Sequence, residues 1–428
     1  MNPSPVVLIV GTVDTKSDEI AFLRAQVERQ GARAIVMDVG VLGRGGLTPE
    51  IANTEVAAAA GVTLQQIIDS GDENSSMTLM AQGAAALATR LHARGRFDGL
   101  LALGGTMGTD LALDVANALP LGCPKVILST IAYSHLLPPE RIAPDLMMRL
   151  WAGGLYGLNR VCRSALAQAA GAAVGACRAT NVDTEVDGDT EGDARPVVGM
   201  TSLGSSALAY MKRLKPALEA RGYELAVFHT TGMGGRAFED LAAKRLFCAV
   251  MDFSLQELVN HLGGSCVTSG PDRLRGAGRA GVPQIVAPGA TDMFDYATWA
   301  PRPSGYDGRA DHAHNRLIAS VLMTPAQRRA AAREIGARLG EAAGPTCLLL
   351  PTGGIEAWDR PGEPLHDPEG LTALVDELRV SVRPPVRLVE IAAHINDAAF
   401  CDAALAVFDD WVAQGLVPRG MPSSEAAR

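Results

Sequence analysis

The chain has 428 residues, 47% of them hydrophobic but only 4% aromatic, and a formal net charge of −9. That length exceeds one ordinary core and implies two or three domains, with interiors built mainly from Ala, Val, Leu and Ile. The acidic balance argues against a general nucleic-acid or anionic-membrane surface, and no apolar run reaches the roughly 20 residues a bilayer span needs.

In chain order, the apolar run 6–10 predicts a strand, 11–17 a loop, 18–30 a helix and 33–39 a second strand. The run 6–10 is strand length, too short for the apolar core of a secretory leader. After an Ala-rich stretch, 76–94 predicts a helix, 99–103 a strand, 104–109 a glycine loop, 109–118 a helix and 125–130 a strand. Segment 145–179 is rich in Ala, Gly and Leu and reads as helical, packing closely between subunits or simply covering the sheet.

Residues 181–196, NVDTEVDGDTEGDARP, are acidic and almost free of apolar side chains, which marks a linker. It separates a first subdomain, 1–180, from a second, 197–428. The second half continues with strand 197–201, helix 206–220 and strand 224–230. Further strands are expected at 247–251, 284–287, 346–350 and 386–391, helices near 324–343 and 398–413, and a frayed tail over 418–428. The seven cysteines, at 123, 162, 177, 248, 266, 347 and 401, form no CxxC pair and suit a reduced, cytoplasmic setting.

The two halves repeat in register. Val6, Ile9, Ile20 and Gly31 recur as Val197, Met200, Met211 and Gly222, each 191 residues later. Strand, loop, amphipathic helix, glycine and strand make one strand–helix–strand unit. The expected fold is therefore α/β, with two Rossmann-like doubly wound parallel-sheet subdomains joined by the acidic linker.

Ligands of such sheets bind where strands turn into helices. The first turn holds Gly11, Thr12, Asp14, Thr15 and Lys16. Hydroxyls, backbone N–H groups and a lysine suit an anion, although Thr15 stands where a Walker A loop has its second glycine. Asp14 or Asp18 as a simple helix cap is the alternative. A second loop carries Gly104, Gly105, Thr106, Gly108 and Thr109, whose glycines permit close backbone approach to a phosphate. Strand ends of one parallel sheet share an edge, so both loops are expected to meet one ligand. The corresponding loop of the second half, 201–206, keeps hydroxyls but has Ser205 and Ala207 in place of Asp14 and Lys16.

Of eight histidines, His314 (in HAHNR) and His394 with Asp397 (in HIND) keep amide and carboxylate company, and His229 ends a strand. His314, His394 and Asp397 suit acid–base work or polar substrate binding. A helix cap at His394, with Asn396 and Asp397 holding a loop, is the structural alternative. No third ligand has metal-type spacing, so no metal site is expected among them.

The motifs GTVDTK, GGTMGT, WAGGLYGLNR (151–160), SGPDRL (269–274), PGATDM (288–293), HNRL (314–317) and AHINDAAF (393–400) occur in one order over residues 5 to 410. In this the chain resembles the tobamovirus-resistance-protein-like ATP-binding family, which comprises the N-terminal region of a plant resistance protein and bacterial relatives. The resemblance implies two Rossmann-like subdomains, homodimers, and ATP with magnesium in the first subdomain, held by the residues of the two loops. It does not carry over the antiviral role. PTGGIEAWDRPG (351–362) departs from the family pattern, which has a serine near Ile355 or Glu356. The expected function is a nucleotide-dependent enzyme acting on a small polar metabolite. The alternatives are a non-catalytic ATP sensor, or an ATP-independent hydrolase or lyase that uses the second subdomain.

Overall fold

The strand VVLIVG at the start of the chain is buried along nearly its whole length, as a parallel strand covered on both faces must be. In the computed structural model, which describes residues 4–43, 45–182, 195–204 and 208–421, it is β1 (Val6–Gly11). It leads into α1 (Val13–Arg29) and β2 (Arg33–Asp38), then α2 (Asn53–Ala59), α3 (Leu64–Asp69) and α4 (Glu73–Ala93). The first unit continues with β3 (Gly99–Gly104), α5 (Thr106–Ala118), β4 (Lys125–Ser129), β5 (Leu146–Leu150) and α6 (Arg160–Val182). Its strands lie in the order β2-β1-β3-β4-β5, all parallel.

Alternation along each strand divides the core. Leu8, Val10, Leu100 and Ala102 face one apolar layer, and Val7, Ile9, Leu101 and Leu103 face the other. Helices α2, α4 and α5 cover the first layer and α1 and α6 the second.

The second unit runs through β6 (Val197–Ser202), α7 (Leu208–Ala220), β7 (Glu224–His229), α8 (Met233–Ala243), β8 (Ala249–Asp252), α9 (Gln256–Leu262), α10 (Gly276–Ala280) and β9 (Gln284–Val286). An insertion then adds β10 (Met293–Ala297), β11 (Asp311–Ala313) and β12 (Ile318–Leu322). The chain ends with α11 (Pro325–Gly340), β13 (Thr346–Pro351), α12 (Pro368–Ser381), β14 (Arg387–Ile391) and α13 (Ala398–Ala413). The main sheet is parallel, β14-β13-β9-β8-β6-β7, and the insertion is a small antiparallel sheet, β10-β12-β11. The α/β class and the doubly wound parallel sheets are as the sequence implied.

The chain divides into compact units Met1–Glu191 and Gly192–Arg428. Of the acidic segment, residues 183–194 lie outside the described residues, as do 422–428 of the expected tail. Residues 181–182 belong to α6.

Local readings shift in several places. The loop expected over 11–17 is already helical from Val13, although Lys16 breaks the regular geometry with φ −132 and ψ 27. The glycine loop is only a turn, because α5 starts at Thr106. Segment 145–179 holds strand β5 and an irregular stretch before α6 rather than one helix. The antiparallel sheet was not anticipated, since its strands of three to five residues leave little periodic signal, and neither were helices α2, α3, α8, α9, α10 and α12. No helix among the described residues is long and apolar enough to cross a membrane, and all seven cysteines are free thiols.

Candidate functional site

In a sheet of order 2-1-3-4-5 the crossovers leave β1 in opposite directions, so the loops after β1 and β3 diverge and open a crevice at the carboxyl edge. The first unit has a cavity of about 600 Å³ there. Thr12, Asp14, Thr15 and Lys16 line one side, and Gly104, Gly105, Thr106 and Gly108 the other. Eight of the ten loop residues singled out from sequence thus border one space.

The other two do not border it. Gly11 ends β1, where an added Cβ would stand 2.8 Å from Leu103 Cδ2 and 3.0 Å from Ile20 Cδ1, so its task is close packing. Thr109 is fully buried, and its Oγ1 lies 2.8 Å from Ser129 Oγ, pinning α5 to β4. Gly104 is needed because α5 turns straight back over it: a Cβ there would lie 2.5 Å from the Gly108 carbonyl carbon.

The two helix starts are not equivalent. Neither Thr12 nor Gly105 caps its helix with a side-chain hydrogen bond. At α1, however, Asp38 Oδ1 accepts from Val13 N–H at 2.9 Å and from Gly40 N–H at 2.8 Å, so a carboxylate already occupies part of that end. Burial pushes the Asp38 carboxyl above its ordinary range. Neither Asp14 nor Asp18 is the cap: Asp14 Oδ2 accepts from Leu42 N–H at 2.7 Å, holding the β2–α2 loop over the cavity. The start of α5 has no such acid, and its glycines leave the backbone approachable. An anion is therefore better received at Gly105–Thr106 than at Thr12.

Lys16 lines the same cavity, its Nζ 5.0 Å from the centre of the Tyr156 ring. Tyr156 is presented by the WAGGLYG segment, which is fixed to α1 by Gly157 N–H donating to buried Glu19 Oε1 at 2.8 Å. Tyr156 is 92% exposed and does not line the cavity, so the ammonium sits at the cavity's solvent edge. The Thr12 and Thr15 hydroxyls are 2.7 Å apart. Apolar residues Val39, Val41, Leu42, Ile68, Met77 and Met107 form the rest of the lining, with Asp72, Glu73 and Ser76 at the start of α4.

Sequence reasoning passed over Asp38 and the loop 39–42. A signal existed: a carboxylate closing the second strand of a βαβ unit is a recurrent nucleotide-site feature. Asp14 Oδ1 is buried and has no hydrogen-bond partner among the described residues. No group of three or more His, Cys, Asp or Glu side chains there suits a metal ion.

In the second unit the three residues assigned to acid–base work are split. His314, exposed on the loop between β11 and β12, lines a small cavity with His229, Thr231, Gln256, Asp295, Ser320 and Trp358. His394 and Asp397 do not line it. The His394 ring is buried: Nδ1 accepts from Asn396 N–H at 3.0 Å, which places the proton on Nε2, 2.9 Å from both Glu356 O and Asp359 Oδ1. Asp397 accepts from His394 N–H at 3.0 Å and pairs with Arg360 at 2.8 Å, the bond that holds its carboxyl below the usual range. These contacts make a structural clamp ahead of α13.

The SGPDRL motif also folds inward. Arg273 is fully buried, and its guanidinium meets Asp252 at 2.5 Å, Glu239 at 2.9 Å and Glu257 at 3.1 Å. Three acids around one cation leave a surplus of negative charge, and burial raises Glu257 to about 7. Buried Asp292 of PGATDM and Glu356 also have carboxyl oxygens without partners among the described residues, and burial raises both groups.

The description "Uncharacterised protein family (UPF0261)" applies to two family models that match the chain, the N-terminal domain over residues 5–182 and the C-terminal domain over 195–412. A UPF0261 protein of Brucella melitensis biotype 1 is 56% identical over 417 residues, spanning 97% of this chain and 98% of that protein. The ToMV resistance protein Tm-1 of Solanum lycopersicum is 27% identical over 424 residues, spanning 95% of this chain and 55% of that protein. Among solved structures, UDP-GlcNAc 2-epimerase from Methanocaldococcus jannaschii matches at 8% identity over 66% of this chain and 83% of its own, with a TM-score of 0.22.

Proposed function

The chain belongs to the UPF0261 family, and from the two loops gathered around its first cavity we propose that it binds a nucleoside triphosphate, with ATP as the reference ligand. The observation that carries this reading is the meeting of Thr12–Lys16 side chains with the uncapped start of α5 at the crossover point of the sheet. The polyphosphate lies against Gly105 and Thr106 with Lys16 as its counter-charge, and the apolar wall receives the base. Magnesium fits this donor set: it commonly takes one or two carboxylates together with substrate phosphates, and Asp14 offers a buried unpartnered oxygen. When bound, the ion neutralises phosphate charge. Asp14, in this reading, supplies the oxygen and Thr12 and Thr15 the neighbouring hydroxyls.

The second unit holds the small polar partner molecule of a nucleotide-dependent enzyme. A sensor without turnover is the second reading, favoured by Asp38 spending its carboxylate on backbone N–H groups rather than standing free as a base. Calorimetry with ATP, ADP and AMP tests the nucleotide site. ATP is expected to bind with magnesium, and Lys16→Ala to weaken it about 10- to 150-fold, the worth of a charge-assisted hydrogen bond. Absence of binding, or equal affinity in Lys16→Ala, would remove the proposal. ADP release on adding candidate metabolites separates the enzyme from the sensor.

A further inference from the structure

The internal repeat extends to the cavities. β1 and β6, and likewise β2 and β7, have the same bounds displaced by 191 residues. Beside them, Val7 faces Gly99 and Val198 faces Ala249, so β3 and β8 occupy matching places 150 residues apart. On these registers Asp38 corresponds to His229, Thr12 to Leu203, and Thr106 to Gln256; the last two residues each open the helix that follows. Leu203, His229 and Gln256 all line the second unit's cavity. The same crossover position is thus open in both units, with different chemistry at each.

The second cavity measures about 40 Å³, room for roughly three water-sized groups. Gln256, Asp295 and Ser320 are buried and form its floor. Asp295 is already engaged: Oδ1 accepts from Ser320 Oγ at 2.6 Å and Oδ2 from Asn260 Nδ2 at 3.0 Å. Gln256 is only 1% exposed, and its Oε1 has no partner among the described residues. A buried carbonyl oxygen without a donor is costly, so the floor calls for an O–H or N–H from outside the chain. The rim carries His229, His314 and Trp358, with the His314 and Trp358 ring centres 5.6 Å apart. Desolvation and the neighbouring His314 lower the His229 imidazole, so the site works against a cation.

We propose that this cavity binds a small neutral molecule bearing adjacent hydroxyl groups, one donating to Gln256 Oε1 on the floor and another engaging His229 or His314 at the rim. The claim rests on the small-molecule half of the function above and not on nucleotide binding. In the sequence repeat Ala207 stands where the first half has Lys16, which agrees with an uncharged ligand.

Glycerol is the probe, titrated into the full chain while the histidine ring C–H resonances are followed by NMR. The expected result is saturable shifts of His229 and His314, with affinity falling at least tenfold in Gln256→Leu. His314→Ala, at an exposed position, serves if Gln256→Leu does not fold, and is expected to abolish saturation at His229. The cationic analogue 2-amino-1,3-propanediol is expected to bind more weakly than glycerol. Non-saturating shifts, equal affinity in the folded variant, or tighter binding of the amine each overturn the proposal. ATP calorimetry on the same samples keeps the two sites apart: a lost glycerol response beside intact ATP binding overturns this one alone.

Discussion

Thr109 and Gly104 show how one loop motif mixes cavity lining with construction. The Thr109 hydroxyl satisfies Ser129 in a dry interior. Replacing it by Val removes one of the two partners of Ser129 Oγ, which keeps only the Ile131 N–H at 3.0 Å, a loss of about 1–3 kcal/mol. Thr109→Val is therefore expected to lower the urea midpoint while ATP affinity, measured on the folded protein, stays near wild type. Gly104→Ala drives a methyl into the backbone of Gly108. An overpacking loss of about 1–3 kcal/mol is expected, and here ATP affinity falls as well, because the start of α5 must shift. Thermal unfolding beside calorimetry on both variants separates the two cases. The motif GGTMGT was legible as a strand-to-helix turn, and it borders the first unit's cavity. Which threonine faced in and which faced out was not, because one residue of helical advance turns a side chain by about a quarter-turn or more.

At the scale of elements, α1 depends on a strand for its cap. Asp38 closes β2 and reaches back to Val13 N–H, so strand and helix terminus are positioned together. Asp38→Ala removes an acceptor shared by Val13 and Gly40. An N-cap loss of about 1–2 kcal/mol is expected, together with weaker ATP binding through displaced Thr12 and Lys16; Asp38→Asn should restore most of the stability. Hydrogen exchange at the first turn of α1 provides the check, and unchanged protection there in Asp38→Ala would sink the assignment. Local reading set most strands of the two parallel sheets, because strands buried on both faces read as continuous apolar runs. It placed the start of α1 five residues late, because Thr12 and Asp14 read as loop residues while the cap sits 25 residues downstream of Val13.

For the molecule as a whole, the second unit holds an excess of buried acids. Burial raises Glu239, Glu257, Asp292, Asp295 and Glu356, whereas it lowers His229. For Glu257 the window is set by the ordinary 4.5 and the raised value of about 7. Between them the folded state holds a proton that the unfolded chain has released, so unfolding free energy falls as pH rises through that range. The five acids act in this direction and His229 in the opposite one. The urea midpoint of the second unit is expected to be higher at pH 5 than at pH 8, and a midpoint that climbs over this interval would contradict the assignment. In the first unit, ATP at about 100 times its dissociation constant is expected to add roughly 2.7 kcal/mol, visible as a rise in its melting transition.

The repeat at 191 residues, the two parallel α/β units and the meeting of two glycine- and threonine-bearing turns were written in the sequence, because strand and helix periodicity and parallel strand polarity are local or topological properties. Only the tertiary structure decided that Asp38 fills the start of α1, that His394 and Asp397 brace a loop while His314 joins His229 and Gln256, and that an antiparallel insertion supplies Asp295 and Ser320. Those outcomes depend on which side chains meet across long sequence separations, where burial and hydrogen-bond satisfaction select the partner.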